Sequence, residues 1–310
     1  MTEDAHRTPD ADSDRAANAD LPDVADVPEV DWVDFGAPDV RPWLARPKPG
    51  DDKYSRGVLG IMTGSSAYPG AAVLGVEGAT RTGVGMVRYL GPGRATRMVL
   101  QRRPEVVTAE GRVQAWLVGS GMSAADRESG VRAELAEALA SGHPAVVDAG
   151  ALDLVGEATG PVVITPHAGE LLTVLQAREV EVTKDEIVAD PARWAAYAAN
   201  LLDVTVLLKG HATHVVTAGS RRGFRVTAPT TELATAGSGD VLAGILGALL
   251  ATHHADLGPD DGSAVGAALA NLAATAAVLH GLAGERASGG GPIVALDIAH
   301  ALPATIAALR

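Results

Sequence analysis

There is no cysteine in this chain of 310 residues, which excludes disulfides, thiolate nucleophiles and cysteine-built zinc sites together. Long basic runs are missing too. No Lys/Arg cluster is longer than Arg102-Arg103 or Arg221-Arg222, so the electrostatic footprint of a nucleic-acid surface is not there. The sequence does not open on a basic start followed by an apolar stretch, which argues against a secretory signal. With neither cysteine nor that signal, the expected compartment is the cytoplasm. The longest uncharged stretch, residues 262–284, could span a bilayer by length. Its small residues, with Asn271, Thr275 and His280 among them, carry little transfer energy, so a buried helix and no membrane partner are expected.

What is present suits one large globular domain or two small ones: 47% hydrophobic and 20% charged residues. The formal charge of −13 is unevenly placed. Residues 1–31 hold ten Asp or Glu against Arg7 and Arg15, a balance of −8, which leaves −5 for the rest. That opening is rich in Asp, Ala and Pro and has no hydrophobic period, so it cannot bury enough surface to offset the entropy of ordering. Residues 1–40 are expected to be a disordered acidic tail whose removal leaves folding and turnover intact, and residues 41–310 to be the folded domain.

From residue 57 onward, short β-branched runs alternate with longer Ala-rich stretches. Strands are expected over 58–62, 84–90, 116–118, 145–147, 162–164 and 204–208, and helices over 70–82, 127–140, 169–176 and 191–202. Strands buried on both sides read as near-continuous apolar runs, which points to a mostly parallel α/β sheet covered by helices on both faces. Two further strands, 214–218 and 224–228, flank a Gly219-Ser220-Arg221-Arg222-Gly223 turn, the pattern of an antiparallel hairpin at an edge. Long helices close the chain over 241–253, 264–282 and 298–309.

The strongest chemical signal is Ala236-Gly237-Ser238-Gly239-Asp240, followed at once by an apolar run. Glycines let consecutive N–H groups point one way, and the helix beginning there adds partial positive charge, which together make an anion site. Asp240 reads either as a helix cap or as a base beside a phosphate. Lys209-Gly210-His211-Ala212-Thr213 follows a buried strand, where open α/β sheets bind ligands, although an ordinary solvated turn reads the same way. Thr165-Pro166-His167-Ala168-Gly169-Glu170 follows another strand. His167 and Glu170 are three apart at a helix start and can face one spot. A competing fingerprint, Gly119-Ser120-Gly121-Met122-Ser123-Ala124 with Asp148 as ribose ligand, would make the protein a dehydrogenase, but it lies mid-sheet and its spacing is long.

In order along the chain, the G-S-S-x-Y-P-G-A-A loop from Gly64, V-G-S-G from Val118, V-D-A-x-A-L from Val147, T-P-H-x-G-E from Thr165, K-G-H-A-T from Lys209 and G-S-G-D-V-L-A-G from Gly237 resemble the ADP-dependent NAD(P)H-hydrate dehydratase family. That family is a branch of the ribokinase-like superfamily. The resemblance implies a ribokinase-like fold and dehydration of the S epimer of hydrated NADH or NADPH, with ADP as phosphoryl donor and magnesium as cofactor. It implies that Ala71, Gly121, His167 and Asp240 contact the hydrate, and that Lys209, Gly210, His211, Ala212, Thr213 and Gly239 hold the nucleotide. Asp240 would be the catalytic base, Gly237, Ser238 and Gly239 the phosphoryl anion hole, and Glu170 an indirect magnesium holder. Ser238 stands where the family has Thr, Ala168 where it has Pro, and Gly150 where it has a second Asp. The resemblance further implies a homo-oligomer, with a tetramer as the size to test, working beside a separate NAD(P)H-hydrate epimerase, because the first fifty residues are too few for that domain. A small-molecule kinase of the same fold, acting on a vitamin precursor or sugar, is the rival enzyme. A nucleotide-binding regulatory module is the rival outside enzymes, though it needs no base.

Overall fold

The computed structural model describes residues 27–125, 127, 129–258 and 262–310. Nine strands form one sheet: β1 (Asp31–Asp34), β2 (Val58–Met62), β3 (Met86–Tyr89), β4 (Ala115–Val118), β5 (Ala145–Val147), β6 (Val162–Ile164), β7 (Thr205–Leu208), β8 (Ala212–Thr217) and β9 (Arg222–Thr227). Their spatial order is β1-β9-β8-β7-β6-β5-β4-β2-β3. Pairing is parallel except where β8 runs antiparallel to both β7 and β9. The expected hairpin is therefore present, and β1 joins the sheet outside it, parallel to β9.

Because side chains alternate across a strand, each buried run feeds two cores. Leu59, Ile61, Leu117, Val146, Val163 and Leu207 enter one; Val58, Met62, Val118, Val147, Ile164 and Leu208 enter the other. The first is closed by α1 (Pro69–Thr82), α2 (Gly93–Arg102), α7 (Ser238–Thr252), α8 (Gly262–Ser288) and α9 (Ala295–Leu309). The second is closed by α3 (Ser129–Leu139), α4 (Ala168–Gln176), α5 (Lys184–Ala189), α6 (Pro191–Leu202) and a 3-10 stretch, Ala149–Glu157. The helix α8 passes a length-and-hydropathy test for a membrane span, but 72% of its most apolar window is buried in the core, as the uncharged stretch led one to expect.

Two contacts on the first face position the site. Helices α1 and α7 touch through glycines: a Cβ on Gly244 would stand 2.1 Å from the carbonyl oxygen of Gly75, and one on Gly78 would stand 2.5 Å from that of Val241. That approach sets the first turn of α7 beside Leu74, Gly75 and Gly78 of α1. Glu77 of α1 has no exposed side-chain surface and pairs with Arg81, Arg102 and Arg103 at 2.7, 2.8 and 2.7 Å. Burial alone would raise its carboxyl, but the arginines hold it down at about 2, so α2 is clamped to α1 by a fully satisfied buried charge.

The expected tail boundary at residue 40 needs correction. Residues 31–34 pair with β9, Arg225 donates to Asp34 at 2.7 Å, and Phe35 and Val40 are 7% and 0% exposed. Four residues, D-W-V-D, carry no period by themselves; their partner surface comes from 190 residues away. Residues 1–26 of the expected tail lie outside the described residues. Deleting residues 1–40 is accordingly expected to destabilise the protein, since each buried large apolar side chain is worth roughly 1.5–3 kcal/mol. A melting curve of the truncated chain that overlays the full-length one would contradict the packing of β1.

Candidate active site

The first turn of α7 is built on Gly237, which caps the helix at φ +84°, in the left-handed region. Its Cα is boxed in, because a Cβ there would meet Leu74 at 2.4 Å and Ala295 at 3.3 Å. Only glycine suits both constraints. No side chain caps this helix, so the cap reading of Asp240 falls. Among the described residues, the N–H groups of Gly237, Gly239 and Asp240 have no backbone partner, which leaves them free for an anion. Ser238 departs from expectation: its N–H donates to the Thr235 carbonyl at 3.2 Å and its hydroxyl is hydrogen-bonded to His280 Nε2 at 2.9 Å. The free N–H groups of the turn are therefore those of Gly237, Gly239 and Asp240.

Asp240 lies partly buried in this turn. Burial first, then the negative charges of Asp148 and Glu170, push its carboxyl up to about 7, against the pull of Lys209. A carboxyl tuned to neutrality is a proton acceptor in waiting. Lys209, just past β7, supplies the opposing charge. Its Nζ is 3.0 Å from Asp148 Oδ1 and 3.4 Å from Glu170 Oε2, and 3.6 Å from where a Cβ on Gly239 would be. Burial would pull its pKa down, but Asp148 and then Glu170 raise it on balance, so the ammonium stays charged.

Asp148 is the site residue that sequence reasoning missed, having weighed it only as a ribose ligand in the dehydrogenase alternative. It is 3% exposed and accepts hydrogen bonds from Ser120 Oγ and Thr165 Oγ1, both at 2.8 Å, besides the one from Lys209. It thereby ties together the carboxyl ends of β4, β5, β6 and β7. Buried among these donors, it has no surface to offer a ribose, and the glycines of the dinucleotide fingerprint serve packing instead: a Cβ on Gly119 would strike the Asp148 carbonyl oxygen at 2.1 Å. The available signal was an acid directly following a buried run, flanked in neighbouring motifs by Ser120 and Thr165.

His167 caps α4. Its Nδ1 accepts from the N–H of Gly169 at 3.0 Å and of Glu170 at 3.1 Å, while Glu170 Oε2 accepts the His167 N–H at 2.8 Å. The side chain is 59% exposed, and its Nε2 lies 3.7 Å from Glu170 Oε1. Its structural and functional readings are thus compatible, since only Nδ1 is taken up by the cap. The main chain bridges His167 to Lys209, whose N–H donates to the Pro166 carbonyl at 2.8 Å. Ala71 and Gly121 are also brought together: a Cβ on Gly121 would be 2.3 Å from that of Ala71. In the 209–213 segment Gly210 and His211 are exposed, whereas Thr213 is buried and its Oγ1 donates to the Gly210 carbonyl at 3.3 Å. Among the described residues no cluster of three metal-binding side chains exists, and Glu170 is largely spent on capping and on Lys209.

The sequence profile of the NAD(P)H-hydrate dehydratase family matches residues 59–303, which span β2 to α9. The chain belongs to the NAD(P)H-hydrate dehydratase family. It is 40% identical to the bifunctional NAD(P)H-hydrate repair enzyme Nnr of Corynebacterium glutamicum, over 84% of this chain and 49% of that protein. To the ADP-dependent (S)-NAD(P)H-hydrate dehydratase of Neisseria meningitidis it is 32% identical, over 64% of this chain and 71% of that one. The chain spans about half the length of its bifunctional relatives. The crystal structure of the ADP/ATP-dependent NAD(P)H-hydrate dehydratase from Bacillus subtilis, co-crystallised with ATP and Mg2+, superposes with a TM-score of 0.75 over 92% of this chain and 99% of that chain, at 23% identity. That likeness shows the fold, which is ribokinase-like.

In this member of the dehydratase family, the Asp148–Lys209 pair is expected to matter for stability as well as chemistry. Removing one partner of a buried pair leaves the other uncompensated, a cost of about 3–5 kcal/mol. Asp148→Asn should lower urea-melting stability by that order. A loss within the ±0.5 kcal/mol typical of surface changes would show that the ion pair holds nothing.

Proposed function

We propose that this chain is an ADP-dependent dehydratase that restores NADH and NADPH from the S epimer of their hydrates. The observation that carries the reading is the placement of a near-neutral carboxyl, Asp240, within the turn whose free N–H groups and neighbouring Lys209 make an anion site. The hydrate's ring hydroxyl is a poor leaving group, and phosphorylation makes it a good one. Asp240 accepts the hydroxyl proton while that oxygen attacks the terminal phosphorus of ADP, and the bond from that phosphorus to the oxygen retained by AMP breaks. The N–H groups of Gly237, Gly239 and Asp240, with the Lys209 ammonium, meet the charge on the phosphoryl oxygens. Phosphate then leaves with the C–O bond electrons, driven by the ring nitrogen's lone pair; loss of a proton from the adjacent ring carbon closes the double bond.

The donor set does not fit a protein-built metal cage, but it fits magnesium carried by phosphate oxygens with Glu170 reaching one of its waters. When bound, that ion would neutralise phosphate charge. Ala71, Gly121 and the Nε2 of His167 would receive the hydrate, and Lys209, Gly210, His211, Ala212, Thr213 and Gly239 the nucleotide. The Neisseria relative's name specifies ADP and the S epimer, and the Bacillus protein was co-crystallised with ATP and Mg2+; both support this reading. It sets the protein in the cytoplasm as a homo-oligomer, a tetramer being the size to test by sedimentation, beside a separate epimerase activity.

The deciding assay mixes the protein with hydrated NADH, magnesium and ADP or ATP. Return of reduced-nicotinamide absorbance with AMP and free phosphate supports the dehydratase, whereas a stable phosphoester product would make it a kinase. Asp240→Asn should cut turnover by on the order of a hundredfold to ten-thousandfold, because an amide cannot take the proton. Fold and ADP affinity should hold, since a negative charge beside the phosphates is removed. A stable Asp240→Asn protein with near-normal turnover would sink the mechanism. The pH dependence has a fixed sign: below about 7 the Asp240 carboxyl is protonated and cannot accept, so kcat/KM should climb with rising pH through a limb near neutrality. A kcat/KM that stays flat from pH 5.5 to 8.5 would mean that Asp240 is not the base.

A further inference from the structure

Ser238 is the residue of the anion turn whose side chain faces the core, at 6% exposure. Both of its polar groups are committed there, the N–H to the Thr235 carbonyl and the hydroxyl to His280 Nε2. His280 comes from the middle of α8, is 8% exposed, and stands 42 residues away in sequence. The rest of the turn rests on apolar contacts, Leu74 and Ala295 against Gly237. The Ser238–His280 bond is therefore a directional tie between this turn and the helical layer beneath it. From the geometry we infer that His280 is a positioning residue for the anion cradle, acting through Ser238, so that the N–H groups of Gly239 and Asp240 stay aimed at the phosphoryl group.

The physical case is that donors stabilise a developing charge only when their orientation is fixed in advance, and that displacements near 1 Å can cost a hundredfold. If Ser238 swung out, its neighbours Gly239 and Asp240 would turn with it, since all three share the first helical turn. A hydrophobic residue at position 280 would fill the space as well but would supply no direction. Histidine suits the place for another reason: burial first, and the Lys209 charge in the same sense, hold its ring pKa down to about 4. The ring is thus neutral at physiological pH and sets no cation against Lys209.

The inference rests on the proposed nucleotide use, and its test can be separated from that reading. ADP affinity is measured by calorimetry without hydrate, alongside hydrated-NADH affinity, kcat and melting temperature, for His280→Leu, His280→Gln, Ser238→Ala and the Leu/Ala double variant. Leucine keeps bulk and loses the bond; the glutamine amide reaches the place of Nε2. His280→Leu and Ser238→Ala should each weaken ADP binding about 5- to 30-fold, the order of one lost buried hydrogen bond. The double variant should be no worse than the worse single one, glutamine should recover most of the loss, and hydrate affinity should fall less than ADP affinity. Losses that multiply, or an unchanged ADP affinity, overturn the inference. So does a glutamine variant as weak as leucine. If His280→Leu does not fold, Ser238→Ala tests the same bond from its other end, and unaltered ADP affinity there is equally fatal. A wild-type protein that binds ADP without turning over hydrate refutes the dehydratase reading and leaves this test standing, while one that binds no ADP refutes both.

Discussion

The buried ion pair between Asp148 and Lys209 is the contact on which the rest of the site depends. Burying either charge alone would cost several kcal/mol, and each is made tolerable by the other together with the hydroxyls of Ser120 and Thr165. The consequence is geometric. One carboxylate gathers the carboxyl ends of four adjacent strands, so the loops after β4, β6 and β7 open on a common crevice, where open α/β sheets hold their ligands. It is also electrostatic, because the same carboxylate is one reason why Asp240 holds its proton to near neutrality.

On the other side of the crevice the constraint is steric. Gly244 against Gly75 and Gly78 against Val241 let α1 and α7 approach until backbone touches side-chain space, which sets the Gly237 turn against Leu74 and Gly75 in the middle of α1. Several residues answer two demands at once. His167 caps α4 with Nδ1 while its Nε2 lies 3.7 Å from Glu170 Oε1. Glu170 completes that cap and pairs with Lys209. Such double use explains why a bland reading and a chemical one could both be drawn from the same motif.

Much of this was legible in the sequence. The strands β2 to β7 and the helices α1, α3, α4 and α6 followed from apolar and Ala-rich runs, and the five of those strands that lie inside the sheet are near-continuously apolar because both their faces are covered. The glycine turn at 237–239 followed from local chemistry. What stayed hidden was whatever depends on partners distant along the chain. The strand β1 is four residues whose case for order lies in Arg221–Arg225. Helix α2 buries only Ala95 and Val99 behind a string of arginines whose role becomes plain once Glu77 is opposite them. Asp148 could be seen as a strand-end acid, but not that Ser120, Thr165 and Lys209 would converge on it. The inward turn of Ser238 was likewise invisible, since its partner His280 lies in a stretch that reads as uniform apolar helix.

The charge count at the crevice makes a last point about what the site can accept. Asp148, Glu170 and Asp240 face a single ammonium, that of Lys209, so with all three carboxylates ionised the site has two negative charges in excess. Bringing phosphates into such a place is unfavourable unless positive charge comes with them or negative charge is given up. The free N–H groups of the turn offset part of the repulsion, and a proton on Asp240 would offset more, yet that proton silences the base. Phosphate charge nearby would also raise the Asp240 pKa further and deepen the conflict. On the proposed mechanism a divalent cation travelling with the nucleotide would resolve it, because it would neutralise the phosphates without occupying the carboxylate proposed to accept a proton. The excess of acid over base in the crevice would thus favour a metal-loaded nucleotide over a bare one, consistent with the lack of a side-chain metal cage among the described residues.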